Sequence, residues 1–214
     1  MKNTINVKLS SLIFILLFFI AGICNANTNW TRVTVNDLAS FKIPPTMEVQ
    51  SKEYRNIVRA PELVYGRLIC QQAGLNQSTL NYQPAKYYAR AIFTTTFIGE
   101  DSGMVLGQPL QFTKQDLDDF TSEFIRTQRN LLPPNYRILE VSNAKIIRVP
   151  IGECIYVTYK RQLDNNPIVI GHHYFFYHKD KAYNLNVGYR VQESSRWCSP
   201  DNDLRKIVET LYIH

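Results

Sequence analysis

Residues 155–190 read IYVTYKRQLDNNPIVIGHHYFFYHKDKAYNLNVGYR, and this stretch decides the fold class. Asp164-Asn165-Asn166-Pro167 and Lys179-Asp180-Lys181 are turn-forming clusters between three runs rich in aromatic and β-branched residues, Ile155 to Arg161, Ile168 to Tyr177 and Ala182 to Arg190. Connections this short join antiparallel strands. A parallel pair needs a crossover of a dozen or more residues, so a doubly wound parallel sheet is excluded. In the last run Tyr183, Leu185, Val187 and Tyr189 alternate with Asn184, Asn186, Gly188 and Arg190, the pattern of a half-buried strand. Tyr174 and Phe176 oppose Phe175 and Tyr177 in the run before it, which predicts a central strand covered on both faces.

Working back, Tyr136 to Arg148 supplies a fourth strand of the meander. Before it, Thr113 followed by Asp116 resembles a capping box at the start of a helix running to about Leu132, ended by Pro133-Pro134-Asn135. Leu117, Phe120, Phe124, Gln128 and Leu131 recur at helical spacing and form a stripe that should pack on a sheet. Earlier strands are expected at Trp30 to Val35, Ser40 to Ile43, Met47 to Val49, Leu63 to Gln72 and Tyr87 to Gly99, with loop from Asn76 to Pro84. A closing helix capped by Ser199 or Asp201 should carry Leu204, Ile207, Val208 and Leu211 on one stripe. The fold class is therefore α+β, a single antiparallel sheet packed by a central amphipathic helix and a C-terminal helix.

Residues 1–26 read as a removable export signal: Lys2 and Lys8, an apolar run from Leu12 to Cys24, then small residues at Cys24-Asn25-Ala26. That run is too short for a bilayer, which takes about 20 residues, and no later segment comes close. Lipidation at Cys24 would require a small residue before it, where Ile23 stands. The mature protein, residues 27–214, is one domain's length, with no transmembrane segment. Loss of two lysines lowers the formal charge from +6 to a mild +4. The localisation expected is periplasmic or otherwise secreted.

Export places Cys70, Cys154 and Cys198 in an oxidising compartment. Three pairings are open, as is the fully reduced state; a Cys70–Cys198 bridge is favoured, because Cys198 falls in a loop.

The signal, an opening strand leading into Phe41-Lys42-Ile43-Pro44, the central helix, the aromatic meander and the closing helix together resemble the Mog1/PsbP-like α-β-α fold over residues 30–212. In that family a small turn and often Trp follow the proline; this chain has Pro45-Thr46-Met47. The resemblance implies a non-catalytic binding or accessory module with a protein partner and transfers no site residues.

Chemistry is sparse. His172 and His178 share a strand face about 20 Å apart at ~3.3 Å per residue, so they cannot share an ion, and no paired metal-ligand spacing occurs; no metal or cofactor is expected. Cys154 with His172 or His173 is the one nucleophile-base combination, yet a thiol in an apolar strand is inert. Asp116, Asp118 and Asp119 complement the dipole at a helix start. Arg55, Arg59 and Arg67, and Arg126 with Arg129, are interleaved with Glu53, Glu62 and Glu123, a mixed-charge surface that excludes nucleic acid as the expected partner. The candidate binding groove is the polar face of the last meander strand, Asn184, Asn186 and Arg190, joined by Thr158 and Lys160. The reading is an exported, non-enzymatic binding or accessory module contacting a protein of the cell envelope. Its alternatives are a small secreted enzyme using Cys154 with a strand histidine, and an envelope protein that neutralises a toxin.

Overall fold

A computed structural model describes residues 29–50, 64–73, 87–99 and 102–214. The expected signal segment, the 76–84 loop, Arg55 and Arg59 lie outside them.

The chain forms two antiparallel sheets rather than one. β1 (Thr31–Val35), β2 (Ala39–Ile43) and β11 (Tyr212–Ile213) make a small sheet with β2 in the middle. The large sheet runs β3 (Met47–Val49), β4 (Val64–Gln72), β5 (Ala89–Phe97), β10 (Lys181–Arg190), β9 (Val169–His178), β8 (Gly152–Leu163) and β6 (Tyr136–Val141), with β7 (Lys145–Val149) also on β8. Two sheets form because the opening strands carry their own buried set. Val33, Val35, Phe41 and Ile43 pack as a layer onto Phe93, Leu185 and Phe176 of the large sheet. The Asn36 turn between β1 and β2 has φ of 47°, the left-handed region that asparagine tolerates.

The expected strand from Tyr136 to Arg148 is broken. β6 pairs with the far half of β8 and β7 with the near half, and Ser142-Asn143-Ala144 steps out between them. Ser142 stays tied to β8: its N–H donates to the Thr158 carbonyl, and its hydroxyl accepts from the Thr158 N–H at 2.9 Å. The Ala144 N–H donates to Thr121 of the helix.

That helix, α1 (Lys114–Leu131), starts where the capping box placed it. Thr113 accepts from the Asp116 N–H, and the Asp116 carboxylate accepts from the Thr113 N–H at 2.7 Å. Phe124 stands edge-on to Tyr159, His173 and Phe175, so α1 lies over β8 and β9, while Leu131 at the end of the expected stripe remains exposed.

The expected C-terminal α-helix is replaced by a four-residue α2 (Ser194–Trp197) and a 3₁₀ segment, Leu204–Thr210. Asp203 caps this segment by accepting from the Arg205 N–H. Leu204 and Ile207 are three residues apart and therefore share one line in a 3₁₀ turn, and pairing of Tyr212 with Ser40 pulls the chain back to an extended form.

Two apolar layers thus cover opposite faces of the large sheet at different places. The small sheet, Trp197 and the 3₁₀ segment cover one face along β5 and β10; α1 covers the other along β8 and β9.

Candidate functional site

The register across five strands defines the face that α1 only half covers. Arg67, Thr94, Asn184 and Phe175 lie in one row; Ile69, Ile92, Asn186 and His173 in the next; Gln71, Arg90, Gly188 and Gly171 in the third; and Arg190, Val169 and Arg161 close the series. Side chains in one row of an antiparallel sheet point to the same side. On β8 and β9 this side is apolar and packed beneath Phe124. On β4, β5 and β10 it is mostly polar, with Ile69 and Ile92 side by side among Arg67, Gln71, Arg90, Thr94, Asn184, Asn186 and Arg190.

Asn184, Asn186 and Arg190 of the expected groove share this face. Thr158 and Lys160 do not join them: Thr158 is in row with His172 and Val187, and Lys160 with Ile170 and Tyr189, on the opposite side. The reason is the switch of covering layers. β8 turns its apolar positions to α1, whereas β10 turns its own to the small sheet, so the polar positions of the two strands face away from each other. Lys160 pairs instead with Glu140 at 2.6 Å.

Sequence reading missed the arginines that belong here. Arg67 was grouped with a mixed-charge surface; pairing of β4 with β5 sets it on the side of Arg90. Burial, with the charge of Arg90 next, holds the Arg67 guanidinium below its ordinary pKa. Arg90 lies over the Tyr88 ring at 5.6 Å, and Arg161 donates to the Tyr88 hydroxyl at 3.2 Å. Burial would raise the Tyr88 phenol, but the charges of Arg90, Arg161 and Arg190 outweigh it and hold the group below its ordinary value. Among the described residues, two carboxylates answer these four guanidinium groups. Glu193 is engaged with Arg190 at 3.0 Å, the Tyr88 N–H at 2.9 Å and the Trp197 indole N–H at 2.8 Å. Glu48, two strands from Arg90, accepts from Gln71 at 3.3 Å.

Five buried polar atoms on this face have no hydrogen-bond partner: Nε of Arg67, Nε of Arg90, Nε2 of His173, and Oδ1 of both Asn184 and Asn186. Folded proteins rarely leave such atoms unmet, since each costs about 1–3 kcal/mol. Beside them the floor is backbone. Gly171 has the Tyr159 ring across it, and Gly188 has no side chain closer than Val169 to the position a Cβ would take.

The rival site is closed. Cys154 is fully buried in the core opposite Phe176, and burial pushes its thiol up to about 12. Cys70, Cys154 and Cys198 are all thiols, so the Cys70–Cys198 bridge is not formed in this structure. His172 bonds through both ring nitrogens, to Tyr156 at 2.7 Å and Tyr189 at 3.2 Å. No group of three potential metal ligands occurs among the described residues, and no helix among them is long and apolar enough to cross a membrane.

The fold is Mog1/PsbP-like. The solution structure of cyanobacterial PsbP (CyanoP) from Synechocystis sp. PCC 6803 superposes with a TM-score of 0.51 at 12% identity, over 90% of this chain and 96% of that one. The Saccharomyces cerevisiae Ran-binding protein Mog1p matches with a TM-score of 0.45 at 10% identity, over 86% of this chain and 95% of its own. A Bacteroides thetaiotaomicron structure matches at 0.45 and 8% identity over 87% of this chain, which spans about half (49%) of that one. No protein-family model matches the sequence, and no curated protein does.

Proposed function

We propose that this protein is an exported, non-enzymatic binding or accessory module that contacts another protein of the cell envelope, using the polar half of the large sheet's outer face. One observation supports it above the rest: the half-exposed polar side chains of Arg67, Arg90, Thr94, Asn184 and Asn186 share that face over three neighbouring strands. The neighbouring fold adds only that one structure of this architecture is described as a Ran-binding protein. Residues 1–26 carry the export half of the reading, by their charged start, apolar middle and small-residue end.

The test is a photo-crosslinking amino acid placed at Thr94 on this face and, as a control, at the exposed Glu209 of the 3₁₀ segment, in cells of the source organism. A discrete polypeptide adduct from position 94 and none from 209, on a chain beginning near Asn27 in the envelope fraction, is expected. No adduct at 94, or Met1 retained on cytoplasmic protein, overturns the reading.

A further inference from the structure

We draw no further inference here: the strongest candidate, the Cys198–Tyr189–His172–Tyr156 side-chain cluster on the face of β8, β9 and β10 beside the 198–203 loop, is a lone thiol whose hydrogen bonds close within the cluster, and no second feature among the described residues points to a ligand there.

Discussion

The Tyr156 hydroxyl and Nδ1 of His172 are hydrogen-bonded at 2.7 Å across two paired strands, and the Tyr189 hydroxyl takes the other ring nitrogen. With both nitrogens so held, burial and then the charge of Arg205 keep the imidazole near a pKa of about 4. On the other side of the strand burial keeps His173 near about 3. In the unfolded chain both titrate near ~6.5. Between these values the unfolded state takes up protons that the folded state refuses, so stability is complete above about pH 6.5 and falls as pH drops toward 4. For His172 alone the loss by pH 4.5 is on the order of 2–3 kcal/mol. Urea midpoints at pH 7.5 and 4.5 should separate accordingly, and His172→Gln should narrow the gap. Identical midpoints in the native chain would contradict it.

Arg67→Met should stabilise the unliganded protein. The substitution removes a buried like-charge contact with Arg90 and an unmatched donor while keeping the aliphatic bulk. A gain of about 0.5–1 kcal/mol, raising the melting temperature by roughly 1–4 °C, is expected. A lowered melting temperature would show that Arg67 supports the fold.

Gly171→Ala should cost more than Gly188→Ala. A Cβ at 171 would lie 2.6 Å from Tyr159 Cε1, in a ring held in turn by Phe124 and His173. At 188 the nearest atom is the Ile170 carbonyl oxygen at 3.2 Å. Destabilisation of about 1–3 kcal/mol at 171 is expected from such overpacking. Pairing Gly171→Ala with Tyr159→Leu in a double-mutant cycle should recover part of it, and strict additivity would refute the contact.

Iodoacetamide under native conditions should modify Cys198 first. Cys70 and Cys154 are fully buried, whereas Cys198 is partly exposed, its Sγ 3.1 Å from the Tyr189 hydroxyl. Intact mass should show one rapid addition, with two more after unfolding. Early labelling of Cys154 would reopen the nucleophile reading.

What could be read from the sequence was what neighbours decide. Thr113 and Asp116 announced α1, and the alternation from Tyr183 to Arg190 named the faces of β10 correctly. What escaped depends on which strand lies beside which. Thr158 and Asn184 are each on the polar side of their own strands, but those sides are opposed because β8 and β10 are covered by different layers. Arg67 and Arg90 are 23 positions apart in the chain, and no local pattern joins them before β4 and β5 are in register. The small sheet escaped for the same reason, its third strand coming from the far end of the sequence.

That third strand has a bearing on timing. β11 pairs with β2, and Leu204, Ile207 and Val208 fill the layer under β1 and β2. The hairpin made first therefore has no lid until residues 204–213 have been synthesised, and its core stays wet meanwhile. Completion of the small sheet is thus a late event set by topology, since its middle strand waits for a partner from the other end of the chain.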